Sequence, residues 1–268
     1  MMDRSTESSG QGTTEVDLSF PIAASADTVW NILTDPMRFS AWMQGEVTFE
    51  PRPGSPFRAS FPSFGIVMAG EIRAVDPDIR RLELTWGTES GPQAGEYPAG
   101  SSLLAFQVHP DGSAARLELR HTGLPSARAV KEQEGGWLFQ LSRLDLAANR
   151  ADLAAGLERT LPEWIAAWNE QDEERRMAAL RRCCADDVTF RDDWTGLSGV
   201  GLLSMHIANC HQYMPGYTLE HTGDVRICRG EALVGWRSTG PGGPGEGFNH
   251  IQADPDGTIR RVTGFQRG

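Results

Sequence analysis

The stretch Val16-Asp-Leu-Ser-Phe-Pro-Ile-Ala-Ala-Ser-Ala-Asp-Thr-Val-Trp-Asn-Ile-Leu-Thr-Asp-Pro36 sets the frame for the first half of the chain. Val16, Leu18, Phe20 and Ile22 recur at every second position, the period of a half-buried strand. The period then changes. Ser25-Ala-Asp-Thr28 offers N-cap side chains, and Val29, Ile32 and Leu33 form the apolar stripe of a short helix that Asp35-Pro36 is expected to end.

Working outward, strand-like pieces follow between Pro/Gly turns: 47–50, 57–61, 66–75, 81–86, 103–108 and 116–121. Asp76-Pro77-Asp78 and Pro110-Asp111-Gly112 supply turn chemistry between them. The Gly/Pro-rich 89–100 reads as a mobile loop. From Glu134 the period is helical, with Trp137, Leu141, Leu144 and Ala148 on one stripe of a long helix reaching Leu153 or beyond. A curved antiparallel sheet around a long C-terminal helix buries these stripes with the fewest elements.

The second half restarts at Thr160-Leu-Pro-Glu163, a capping-box pattern with proline in the first turn. Leu161, Trp164, Ile165 and Trp168 line one helical face. Asp172 caps a second helix, 188–192 reads as a strand, and Val200, Leu203, Ile207, Cys210 and Met214 mark a third helix. Four strands close the chain at 217–228, 232–239, 247–253 and 258–265. Three helices on a bent sheet make a cone with an open mouth, a shape suited to small apolar ligands. The expected class is α+β in two domains, a helix-grip domain over 16–158 and an α+β cone over 159–268, after a disordered tail at 1–15.

Composition narrows the function. A net charge of −11 over 268 residues argues against nucleic-acid partners, which need a basic footprint. No apolar run approaches the ~18 residues of a membrane span. Residues 1–15 lack the apolar core of a signal peptide, so a cytoplasmic location is expected. Lys131 is the only lysine and lies in a polar stretch, which disfavours Schiff-base chemistry. Cys183, Cys184, Cys210 and Cys228 read as buried thiols.

The first half resembles the activator-of-heat-shock-protein-ATPase-like branch of the START and birch-pollen-allergen superfamily (SRPBCC). The residues that carry the likeness are Ile22 to Pro36 above, Glu50-Pro-Arg-Pro-Gly54, Gly70-Glu-Ile-Arg-Ala-Val-Asp-Pro77, Leu84-Thr-Trp86, His121-Thr-Gly-Leu124 and Gly136-Trp137. The likeness implies a helix-grip fold with an internal cavity for an apolar ligand. The second half resembles the SnoaL-like branch of the nuclear-transport-factor-two superfamily. Trp168-Asn-Glu-Gln-Asp172, Ala185-Asp-Asp-Val-Thr-Phe-Arg-Asp192, Gly199, Asp256-Gly-Thr-Ile259 and Val262-Thr-Gly-Phe265 carry it. That superfamily holds ketosteroid isomerase, polyketide cyclases and proteins without known activity, and its cones often pair, so a homodimer is implied.

Asp192 is the most informative residue. Period two places it with Val188 and Phe190 on an apolar face, where desolvation makes a carboxylate a stronger base towards a carbon acid. It also matches the general-base position of the isomerases. The bland alternative is a cap on the turn Asp193-Trp-Thr-Gly196. Asn249 shares a face with Ile251 and Ala253 and matches the oxyanion-hole position, where its amide could donate to an enolate oxygen. The alternative is an asparagine that satisfies backbone beside the Gly-rich 240–247. Trp164 stands where the isomerases have an acidic tyrosine, which puts steroid isomerisation itself in doubt. Trp168, Trp194, Trp236 and His250 join Trp164 as candidate substrate contacts, with Trp86 as a cavity wall in the first domain. His206, Cys210 and His211 lack a metal-binding spacing, and the histidines read as structural or surface groups.

The expected function is therefore cofactor-free cyclase or isomerase chemistry, without a metal, on an apolar carbonyl-bearing small molecule of secondary metabolism. A non-catalytic ligand-binding or chaperone-associated protein, with the second domain as a dimerisation module, is the alternative.

Overall fold

In a computed structural model that describes residues 14–267, the chain divides into two units. The first takes Val29–His109 and Arg116–Leu144 with residues 14–21. The second takes the chain from Asp145 onward with Ile22–Thr28 and Pro110–Ala115. The tail expected at 1–15 lies, as far as residue 13, outside the described residues.

The elements of the first half are β1 (Val16–Ile22), α1 (Ala26–Thr34), α2 (Pro36–Met43), β2 (Glu46–Thr48), β3 (Pro56–Phe61), β4 (Ile66–Asp76), β5 (Arg81–Trp86), β6 (Thr88–Ser90), β7 (Ser102–Asp111) and β8 (Ala114–Thr122). Then comes α3 (Ala127–Asn169). The strands form one sheet in the order β1-β8-β7-β5-β4-β3-β2, with β6 on β4. Ser25 Oγ accepts from the Thr28 N–H at 3.3 Å, as an N-cap does. Asp35-Pro36 does more than end α1. Its carboxylate accepts from the N–H groups of Met37 and Arg38 at 2.8 and 3.1 Å and so opens α2, with Pro36 in the first turn.

Aromatic rings fill this unit's core. Trp86 packs 5.4 Å from Trp137 and 5.6 Å from Phe57, and Phe39 lies 5.8 Å from Phe57, centroid to centroid. Beside them lies a closed polar chain. The Trp137 Nε1–H donates to His121 Nδ1 at 3.1 Å, so His121 carries its proton on Nε2. That nitrogen stands 2.6 Å from the Tyr97 hydroxyl and 2.8 Å from Ser102 Oγ, and Ser102 in turn donates to the Trp86 carbonyl at 2.9 Å. Burial lowers the His121 pKa to about 4 and raises that of Tyr97. The 89–100 segment is thus anchored rather than loose: β6 pairs with β4, and Tyr97 is buried.

The long helix departs from expectation at Thr160-Leu-Pro162, where no new helix begins. α3 runs unbroken for 43 residues with Pro162 inside it. The Thr160 hydroxyl turns back to the Gly156 carbonyl at 3.2 Å instead of capping. Proline in a helix interior costs about 3 kcal/mol. The buried stripe Leu153, Leu157, Leu161, Trp164 carries the helix through it.

After α3 come α4 (Glu173–Cys183), β9 (Cys184–Arg191), β10 (Gly196–Ser198), α5 (Val200–Tyr213), β11 (Thr218–Cys228), β12 (Glu231–Thr239), β13 (Gly245–Ala253) and β14 (Ile259–Gln266). Asp172 caps α4, its carboxylate accepting from the Arg175 N–H at 2.9 Å. The sheet runs β10-β9-β14-β13-β12-β11, antiparallel except for the β14–β9 pair. The mixed α+β class holds in both halves. The turn 254–257 meets α3 backbone to backbone: a Cβ on Gly156 would fall 2.4 Å from the Gly257 nitrogen. Cys183 and Cys184 are buried free thiols, whereas Cys210 is half-buried and Cys228 exposed. Among the described residues no helix is long and apolar enough to cross a membrane.

Candidate functional site

The cavity of the second unit is lined by the five strands β9, β14, β13, β12 and β11, by the end of α3 and by one face of α5. β9 alternates as its sequence dictates, with Val188 and Phe190 buried, and Asp192 follows on the same side. Here the chain turns, and the Asp192 carboxylate is divided between two tasks. Its Oδ1 accepts from the N–H groups of Trp194 and Thr195 at 2.9 and 2.7 Å, which caps the turn. Its Oδ2 faces His206 Nε2 at 3.7 Å, both side chains being 15% exposed. Turn cap and cavity carboxylate are one residue.

Asn249 lies two strands away. Ladder register pairs it with Gly264 of β14, and Thr263 pairs with Arg191, so Gly264 sits between Asn249 and Asp192. A Cβ there would meet Asn249 Oδ1 at 3.4 Å and Asp192 Cβ at 3.5 Å. The missing side chain leaves a notch between carboxylate and amide. Across it, no more than about 7 Å separates the Asn249 amide oxygen from Asp192 Cβ. The cavity above measures about 350 Å³, within the ordinary range for small-molecule sites.

Of the candidates named from sequence, Asp192, Asn249, Trp168, Trp194 and Trp236 line this cavity. Trp194 is 64% exposed at the rim. Three do not line it. Trp164 is buried, packed 5.8 Å from Trp168 and 6.3 Å from Phe190, with no partner for its indole N–H. It belongs to the core because it continues the apolar stripe of α3. His250 points the other way, 3.0 Å from Glu231. The pairing of β13 is regular through that position, so period two keeps His250 opposite to Asn249. Trp86 is a core residue of the first unit, wedged among Phe57 and Trp137.

His206 is the residue that sequence reasoning missed. Its ring stands 5.5 Å from Phe190 and 5.9 Å from Trp168, and Nε2 lies 3.7 Å from Cys210 Sγ. The apolar stripe of α5 runs through Leu203, Ile207 and Cys210 and leaves position 206 out. Position 206, three after Leu203 and four before Cys210, flanks that stripe on the side of the Asp192 turn. Burial lowers the His206 pKa, the Asp192 charge opposing it. Burial and then the same charge raise that of the Cys210 thiol. The resting groups are a neutral imidazole and a protonated thiol. Cys210 Sγ and Asp192 Oδ2 both approach His206 Nε2, so this is no nucleophile–base–acid relay, which needs opposite ring nitrogens. Among the described residues no set of three His, Cys, Asp or Glu side chains could hold a metal ion.

No curated protein matches the chain. Among solved structures, a SnoaL-like family protein of Agrobacterium tumefaciens is 25% identical, with a TM-score of 0.39 over 42% of this chain and 98% of its own. Protein MLL2253 of Mesorhizobium loti is 24% identical, with a TM-score of 0.44 over 51% and 97%. DynU16, from the dynemicin biosynthetic locus, is 17% identical, with a TM-score of 0.42 over 89% and 81%. The family finding concerns the first half: residues 23–148 match the family model described as Activator of Hsp90 ATPase homolog 1-like protein.

Proposed function

We propose that the cavity of the second unit performs cofactor-free acid–base chemistry on an apolar, carbonyl-bearing small molecule of polyketide-like class, as a cyclase or isomerase does. The supporting observation is the divided carboxylate. Two backbone N–H groups hold Asp192 by Oδ1, while Oδ2 is left for chemistry within an aromatic-walled cavity. A base fixed in this way loses little entropy in reaching its proton. Asp192 takes a proton from the carbon next to the carbonyl, and Asn249, whose Oδ1 faces the Gly264 notch, turns its amide over to donate Nδ2–H to the oxygen that becomes an enolate. Positioned proton transfer contributes ~10²–10⁴-fold, and an oxyanion donor ~3–4 kcal/mol. Trp168 and Trp236 supply flat apolar walls. A cytoplasmic location and a homodimer belong to the same proposal.

The ring opening of 5-nitrobenzisoxazole, a one-step proton removal read by absorbance, tests the base. The wild-type protein is expected to exceed an equal concentration of acetate, and Asp192→Asn to lose roughly 100-fold or more of that rate with its circular dichroism unchanged. Equal rates in the two proteins would remove Asp192 from the role.

A further inference from the structure

The geometry points to His206 as a second proton carrier in this cavity, and to a β-hydroxy ketone as the substrate class from which the pair eliminates water. The inference rests on the acid–base reading above and adds to it a group and a bond-breaking step.

Two proton-handling side chains stand next to each other on one wall. Asp192 Oδ2 and His206 Nε2 are 3.7 Å apart, beyond the usual reach of an N–H···O hydrogen bond. At rest neither is consumed by the other, and such contacts tighten when substrate binds. The second Asp192 oxygen is held by the turn, so proton traffic passes through Oδ2. The Cys210 S–H, 3.7 Å from His206 Nε2, can donate to it and so favours the tautomer in which Nε2 accepts. Phe190 and Trp168 fix the ring plane. The other charged or titratable groups lining the cavity are His211, Tyr217, Glu246 and Arg267.

This spacing selects the chemistry. A base and an acid standing side by side fit a syn elimination, in which hydrogen and the β-oxygen leave from one face of the substrate. Asp192 takes the hydrogen on the carbon next to the carbonyl, and its C–H electron pair becomes the enolate double bond. The enolate oxygen is held by the Asn249 N–H. Asp192, now a neutral acid, passes the proton to His206 Nε2, and the imidazolium protonates the β-hydroxyl. The C–O bond breaks, water leaves, and the electron pair returns from the enolate to give the conjugated enone. Both side chains end in their starting states, and no oxidant or reductant is required.

The test uses two probes on the full chain: 5-nitrobenzisoxazole, which needs proton removal only, and 4-hydroxy-4-phenylbutan-2-one, which must also lose hydroxide as water. Wild type is expected to accelerate both, and Asp192→Asn neither. His206→Gln should slow the elimination roughly 100-fold and the ring opening at least tenfold less. His206→Ala should regain elimination with added imidazole, which also guards against a variant that folds poorly. Equal effects of the His206 changes on both probes, or none, overturn the role of His206 while leaving Asp192 in place. If wild type accelerates neither probe, the acid–base reading falls and this inference with it.

Discussion

Gly264 separates Asp192 from Asn249, and a Cβ at that position would lie 3.4 Å from the Asn249 amide oxygen. That distance is ordinary van der Waals contact, so an alanine fits without moving either neighbour. Its methyl would nevertheless fill the notch where the reacting carbon is proposed to sit. Gly264→Ala is expected to keep its melting temperature within a few degrees and to lose roughly 10- to 100-fold of the 5-nitrobenzisoxazole rate, since small displacements at a reacting centre are costly. Undiminished turnover would show that substrate does not enter between the two side chains.

The buried chain around His121 makes stability depend on pH in a defined window. The folded protein holds His121 neutral, its pKa lowered to about 4 by burial, against 6.5 ordinarily. Between those values the unfolded chain binds a proton that the folded chain declines. Stability therefore falls as pH drops from about 6.5 to about 4, and this contribution levels off below. That gap of about two and a half pH units corresponds to roughly 3 kcal/mol. Protonation would also place a second hydrogen on Nδ1, against the Trp137 N–H that already points there. An NMR titration of the His121 ring, with urea unfolding at pH 7 and pH 4.5, reads both effects. A ring titrating near 6.5 in the folded protein would contradict the closed chain of hydrogen bonds.

Much of this architecture was legible because it is written in short-range periods. Val16 to Ile22, the α1 stripe, the Asp172 cap and the four closing strands all follow from spacing and caps. What escaped was decided by context. Asp35-Pro36 carries both a stop and a start signal, and only the start for α2 was overlooked. Thr160-Leu-Pro162 has the residues of a helix start, yet the stripe from Leu153 to Trp164 gains more from burial than the proline costs. At the site, period two put Asp192 and Asn249 on the cavity side, and the same rule turned His250 away. His206 could not be found by period alone, because what brings it to Asp192 is the packing of α5 on the turn after β9. Gly264 stood within the Val262-Thr-Gly-Phe265 likeness but with nothing to mark its place between the two side chains, since what matters there is a side chain that is absent.

Two glycines of the same helix should respond to alanine with opposite signs. Gly136 is exposed on α3, and a Cβ there would meet nothing within 4 Å. Alanine removes glycine's excess freedom in the unfolded chain, so Gly136→Ala is expected to stabilise by about 0.5–1 kcal/mol. Gly156 faces the 254–257 turn, where a Cβ would fall 2.4 Å from the Gly257 nitrogen and 2.5 Å from the Asp256 carbonyl carbon. Both are backbone atoms, and Gly257 itself has a φ of +81°, a conformation that leaves the turn little freedom to withdraw. The same added methyl must then push helix and turn apart. Overpacking of this kind costs about 1–3 kcal/mol. Thermal melts of the two variants beside wild type make the comparison. A Gly156→Ala protein as stable as Gly136→Ala would mean that α3 and the turn do not touch backbone to backbone.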